Sequence, residues 1–124
     1  MNPTFWEQEV VQVRAHRAPQ RFDVVVLHPP DEPDELYLKR VIGLPGEQIA
    51  YKNGELLING EVVADTFAAE TEDFVWQSVN SKVLPPDHYF VLGDNRAVSR
   101  DSRFFGLVTE QQILGIVKEG NNDK

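Results

Sequence analysis

Cysteine is absent from the 124-residue chain, which excludes a disulfide framework, a thiolate zinc site and a thiol nucleophile and leaves the redox compartment unread. Long hydrophobic runs are absent as well. Purely apolar stretches reach four residues, as in Val24-Val25-Val26-Leu27, against the roughly 18 to 20 that a membrane span needs, and no signal-peptide core opens the chain. Positive charge is scarce: 12 Lys and Arg against 20 Asp and Glu give a formal net charge of -8, a field that repels DNA and RNA and sets nucleic-acid binding aside. His16, His28 and His88 stand at no metal-ligand spacing. Asp31, Glu32, Asp34 and Glu35 interleave with Pro29, Pro30 and Pro33 but lack the central glycine and terminal glutamate of a calcium loop, so a solvated loop is expected, with no metal and no cofactor. What is present, 41% hydrophobic and 26% charged residues, suits a globular domain large enough to bury a core without staples.

Period-two alternation of apolar residues dominates, beginning at Val11, Val13 and Ala15 and returning at Val24 to Leu27, so the chain reads as all-β, in antiparallel sheets. Residues 36–44 place Leu36, Leu38, Arg40 and Ile42 on one face and Tyr37, Lys39 and Val41 on the other. Both faces are largely apolar, which predicts a strand covered on both sides. After the Pro45-Gly46 turn, Asn53-Gly54 and Asn59-Gly60 punctuate a three-stranded meander over residues 48–63, because Asn-Gly readily takes the positive φ angles of a hairpin turn. Residues 64–82 read as an irregular excursion pinned by Phe67, Phe74 and Trp76. Pro85-Pro86-Asp87 then leads into a strand over 88–92 that stops at Gly93-Asp94-Asn95. Thr109 and Gln112, with Val108 and Ile113 outside them, fit a capping box and predict one short helical turn near the C-terminus. A last strand over 113–118 follows. The expected division is a β core of residues 1–47 and 85–118, a meander cap over 48–84, and a polar tail at 119–124 that frays.

Two clusters carry chemistry. Lys39-Arg40 lies inside a strand, where a desolvated lysine tends to release its proton. At the reference pKa of about 10.4 only about one lysine in 2,500 is neutral at pH 7, whereas a pKa near 8 makes roughly a tenth of it a base, a change of about 3 kcal/mol that partial burial can supply. The alternative is an edge pair whose charged heads snorkel to water. The second cluster, Asp94, Arg96, Ser99, Asp101, Ser102 and Arg103, packs two acids, two arginines and two hydroxyls between Gly93 and Gly106. A solvated turn competes with a polar network that fixes a site. Phe104-Phe105 reads either as an exposed patch for lipid or a partner or as core packing, the commoner fate and the one expected.

Lys39-Arg40-Val41-Ile42-Gly43-Leu44-Pro45-Gly46-Glu47 resembles the lysine-bearing box of the type I signal peptidase family, and the run from Gly93-Asp94-Asn95-Arg96 through Ser99-Arg100-Asp101-Ser102-Arg103 to Gly106 resembles its glycine-aspartate-asparagine-arginine box. Phe22-Asp23-Val24-Val25-Val26 is similar to the intervening strand, with Phe22 where a glycine is usual. The resemblance covers nearly the whole chain. It implies a membrane-anchored serine endopeptidase, its catalytic domain on the extracytoplasmic face, that removes signal peptides using a serine nucleophile and a lysine general base. Lys39 matches the base and Ser99 the hydroxyl that orients it. Arg40, Asp94, Asn95, Arg96, Asp101, Ser102 and Arg103 match the supporting polar network. Met1, Phe5, Tyr37 and Leu38 match a shallow apolar pocket for the small residue before the cut. The partner implied is a preprotein with small residues, typically alanine, at one and three positions before the cut, lying as an added strand beside residues 35–38.

Met1-Asn2-Pro3-Thr4-Phe5 is similar to the nucleophile box, in which the serine stands immediately before the methionine. The nucleophile is therefore expected just upstream of Met1, and the chain as written, without it and without the membrane anchor, is expected not to cleave peptides. A rival reading is a naturally non-catalytic homologue that binds extended peptides or assists surface-protein assembly. A self-cleaving repressor-type serine-lysine protease shares the chemistry, but no DNA-binding element accompanies it here.

Overall fold

The computed structural model describes residues 18–67, 71–78 and 81–117, with the backbone of Val13–Arg14. In chain order the strands are β1 (Val13–Arg14), β2 (Val24–Leu27), β3 (Tyr37–Gly43), β4 (Ile49–Lys52), β5 (Glu55–Ile58), β6 (Glu61–Val63), β7 (Phe74–Val75), β8 (His88–Leu92), β9 (Val108–Thr109) and β10 (Ile113–Val117). A six-stranded sheet runs β1-β10-β2-β3-β8-β9 and a four-stranded sheet runs β6-β5-β4-β7. Every pairing among them is antiparallel. The all-β class that the alternation implied is the fold observed.

β2 and β3 form the centre of the larger sheet, and both their faces are covered. Val25, Leu27 and Val41 join Tyr89, Val91 and Ile116 in one apolar cluster, while Val24 and Val26 pack with Val117 and Leu38 on the opposite side. Ile42 belongs to a further cluster shared with the small sheet, built on Ile49, Tyr51, Leu56, Phe90 and Leu92. Each large apolar side chain buried in this way contributes about 1.5–3 kcal/mol, which fixes β3 at the junction of the two sheets. Its exit is equally determined. The register against β8 shifts between Val41 and Gly43, and a Cβ on Gly43 would lie 2.6 Å from Ile49 Cδ1, so only glycine lets β3 pass this close to β4. The following turn is closed by Glu47, whose Oε1 accepts the Leu44 N–H at 2.9 Å while its carboxylate receives both guanidinium nitrogens of Arg21 at 2.7 and 2.9 Å.

The small sheet is the meander that the two Asn-Gly pairs implied. Asn53, Gly54, Asn59 and Gly60 all take positive φ, as a tight hairpin with the strand twist requires. β7 is the one regular piece of the stretch read as irregular. It pairs Ala50 with Val75 and Tyr51 with Phe74, and the Phe74 ring stacks between Phe90 at 5.0 Å and Tyr51 at 6.2 Å.

Two short helical turns complete the described chain. A 3-10 turn at Glu110–Gln112 sits where the capping pattern placed it, with the Thr109 N–H donating to Gln112 Oε1 at 2.8 Å. A second, α1 (Ser102–Phe105), has no apolar periodicity to announce it and is started by Asp101, whose carboxylate accepts the Arg103 N–H. This turn corrects the expectation for Phe104-Phe105. Phe105 packs on the core cluster and lies 6.2 Å from the Tyr37 ring, but the opposite side of so short a turn faces water, and Phe104 is 73% exposed. Among the described residues no helix is long and apolar enough to cross a membrane.

Candidate active site

Lys39 is 3% exposed and Ser99 8%, so the lysine head does not snorkel to solvent. Its Nζ donates to Ser99 Oγ at 3.1 Å and lies 5.1 Å from the Tyr37 ring centroid. Burial disfavours the ammonium and lowers the lysine's pKa; the negative charge of Asp101 opposes this, and the positive charges of Arg103 and Arg100 reinforce it. The contact exists because Gly93 has no side chain. A Cβ there would lie 2.0 Å from Ser99 Oγ and 3.4 Å from Lys39 Nζ.

Asp101 fixes the loop that delivers Ser99. Fully buried, it accepts from the Gly93 N–H at 3.1 Å and from Arg103 through Nε at 2.9 Å and Nη2 at 2.8 Å. Arg103 Nη2 also donates to the Arg96 carbonyl at 2.8 Å, and Ser102 Oγ accepts the Val91 N–H at 2.9 Å, pinning α1 to β8. Asn95 is exposed and takes part through its carbonyl, which accepts the Val98 N–H at 3.2 Å.

On the other face of β3, Arg40 is also buried, but it is paired. Nε and Nη2 reach the two oxygens of Asp94 at 2.9 and 2.8 Å, Nη1 donates to the Phe22 carbonyl at 3.0 Å, and the Phe67 ring centroid stands 3.8 Å from its guanidinium carbon. Phe22 takes a φ of 72°, the left-handed region that favours glycine. Here a phenylalanine tolerates the strain while its ring packs against Phe67 at 5.2 Å.

Arg96 links this loop to the cap. Its Nε donates to the Gly93 carbonyl at 2.7 Å, and Nη1 reaches Asp65 Oδ2 at 2.8 Å, Thr71 Oγ1 at 2.9 Å and Tyr51 OH at 3.1 Å. Burial works against the Asp65 carboxylate, yet the hydrogen bonds from Arg96 and Tyr51 outweigh it and hold its pKa below the ordinary value. Burial pushes the Tyr51 hydroxyl well above the usual tyrosine range, so it stays a donor to Asp65.

Tyr37 and Leu38 are half-buried at the start of β3; Met1 and Phe5 lie outside the described residues. Along Tyr37 to Lys39, β3 pairs with β2, whereas its register with β8 begins at Arg40. Among the described residues no strand pairs with the β8 side of Tyr37 and Leu38. Among the described residues no three acidic or histidine side chains converge as metal ligands; Asp31 and Glu32 instead meet Arg100.

The sequence reading missed Tyr51, Asp65, Thr71, Arg100 and the aromatic pair around Arg40. A charge count held the signal. Between Gly93 and Gly106 stand three arginines and two aspartates; with Asp94 given to Arg40, two of those arginines must find acids elsewhere, and they do, at Asp65 and Asp31.

A family model described as signal peptidase, peptidase S26, matches residues 1–119. Signal peptidase I V of Bacillus subtilis (strain 168) is 42% identical over 134 aligned positions, covering 96% of this chain and 79% of that protein. Signal peptidase I of Bacillus caldolyticus is 45% identical over 109, covering 79% and 59%, so the chain spans little more than half of the latter's length. A crystal structure of a signal peptidase I from Enterococcus faecalis V583 superposes with a TM-score of 0.73 at 34% identity, over 82% of this chain and 98% of that one. Shared fold, shared sequence along nearly all of its length and a family model spanning both polar clusters lead to one assignment: the chain belongs to the signal peptidase family, peptidase S26.

Proposed function

We propose that this chain is the catalytic domain of a membrane-anchored signal peptidase, facing away from the cytoplasm, which cleaves signal peptides from exported proteins with Lys39 as general base. The observation that carries the reading is a buried lysine amine whose partner is a neutral hydroxyl, Ser99 Oγ at 3.1 Å, with no carboxylate in an ion pair with it among the described residues. An amine in that setting is driven toward its neutral form and can accept a proton. By the resemblance above, the proton comes from a serine immediately before Met1 as its oxygen attacks the scissile carbonyl; the protonated lysine then returns it to the departing amine. Ser99 aims the amine, and Asp101, Arg103 and Arg96 hold the loop that carries Ser99.

The substrate would lie along the edge of β3 at Tyr37 and Leu38, which no described strand pairs on the β8 side, adding a strand through backbone hydrogen bonds while small side chains before the cut enter the apolar pocket to which, by the resemblance, Met1 and Phe5 also contribute. Sequence preference then follows from pocket size.

The test uses a chain with serine directly before Met1 and the segment upstream of it. Cleavage after Ala-x-Ala is expected, with Lys39→Ala lowering the rate about a thousandfold, the scale of a lost general base. Cleavage that survives Lys39→Ala overturns the assignment. Peptide binding without any cleavage would favour the non-catalytic homologue.

A further inference from the structure

Arg100 follows Ser99 directly, and no step above uses it. Its guanidinium bridges two loops. Nη2 binds Asp31 Oδ2, and Nη1 reaches Asp31 Oδ1 at 3.3 Å, Glu32 Oε1 at 3.4 Å and Tyr37 OH at 3.3 Å. Tyr37 OH donates in turn to Glu32 Oε1 at 2.7 Å, and the Phe105 ring centroid lies 5.8 Å from the guanidinium carbon. Exposed ion pairs add little to global stability, so the five polar contacts gathered at one spot act locally, on the two loops they join. What the arrangement does is geometric. Tyr37 opens β3 two residues before Lys39, and its ring is the aromatic wall 5.1 Å from Nζ. Glu32, the other anchor of the Tyr37 hydroxyl, belongs to the same loop and needs an anchor of its own.

We propose that Arg100 is a positioning residue: it latches residues 31–35 onto the loop bearing Ser99 and, through the Tyr37 hydroxyl, keeps the Tyr37 ring over Lys39. This deepens the general-base reading and rests on it. A held ring excludes water from the amine, and the guanidinium adds a positive charge near it. Both favour loss of the lysine proton. Among the described residues, the groups facing Lys39 are Tyr37 on β3, Ser99, Arg100 and Asp101 on the loop, and Arg103 on α1; of these Asp101 alone attracts the proton.

The latch is tested on this chain, without any need for cleavage. Lysine side chains are labelled with 13C, the Lys39 signal is identified by its loss in Lys39→Ala, and its titration is followed in the parent, Arg100→Ala, Arg100→Lys and Tyr37→Phe. The parent signal is expected to titrate below the ordinary lysine range. Arg100→Ala should move it to higher pH, Arg100→Lys should move it less, and Tyr37→Phe, which leaves every charge in place, should move it in the same direction as Arg100→Ala. Amide exchange over residues 31–38 should speed up about tenfold in Arg100→Ala as the loop is released. A low Lys39 titration that Arg100→Ala leaves unmoved overturns the latch alone. A shift in Arg100→Ala with none in Tyr37→Phe overturns it too, because the guanidinium then acts through its charge. Ordinary titration in the parent overturns the latch and the general-base reading together.

Discussion

The two faces of β3 bury neighbouring cations by opposite means. On one, Arg40 keeps its charge: a bidentate aspartate, a backbone carbonyl and an aromatic ring surround it. On the other, Lys39 meets a hydroxyl and a ring, and its environment favours the neutral amine. Arginine cannot shed its proton in a protein and must be compensated; lysine can, and a site that withholds a counter-ion turns it into a base. One strand thus carries, at adjacent positions, a compensated cation and an amine whose pKa burial lowers.

The sharpest way to break this contrast is Arg40→Met. It removes the guanidinium that pairs with Asp94, and a loss of about 3–5 kcal/mol in urea unfolding is expected; a change below about 1 kcal/mol would show that the pair is no structural anchor. Next in size is the strain beside that pair. Phe22→Ala keeps the left-handed backbone and loses the ring, whereas Phe22→Gly relieves the backbone as well, so the glycine variant should exceed the alanine variant by about 1 kcal/mol. Equal stabilities would mean that the positive φ at Phe22 costs nothing.

Smallest at neutral pH is Lys39→Met, expected to lie within about 1 kcal/mol of the parent, since the cost of burying an amine disappears along with its bond to Ser99. Its signature is in pH. The unfolded chain keeps the lysine proton up to the ordinary pKa of 10.5, while the folded chain releases it earlier. Between those two values the unfolded state binds more protons, so the parent should gain stability as pH rises toward 10.5, and Lys39→Met should lack that gain. Comparing melting curves of the two removes the opposite trend from Tyr51 and Tyr89, whose raised pKa values cost stability at higher pH. Parallel curves would contradict a neutral Lys39.

Features that depend on neighbours in the chain were legible before the fold was known. The longer strands, the two Asn-Gly hairpins and the Thr109-Gln112 turn are set by period and turn chemistry within a few residues, and Lys39 and Arg40 stood out as charges on apolar faces; the two-residue strands at Phe74–Val75 and Val108–Thr109 did not stand out. What stayed hidden depends on distant partners. Arg96 finds Asp65 31 positions away and Arg100 finds Asp31 69 away, and no periodicity encodes such pairings. The helix at Ser102–Phe105 owes its start to the Asp101 cap rather than to an apolar stripe, and the backbone at Phe22 defies the residue that occupies it.

The hairpin tips of the cap carry a practical consequence. A Cβ built on Gly54 or Gly60 would meet nothing within 4 Å, and the hydrogen bonds of Arg96 to Tyr51, Asp65 and Thr71 are made well away from the Asn59-Gly60 turn. Chain length at the Asn59-Gly60 tip is thereby uncoupled from the geometry around Lys39. A reporter domain or affinity handle spliced there would ride on the molecule at a distance from its chemistry, which makes that tip the place to attach a probe for following substrate engagement.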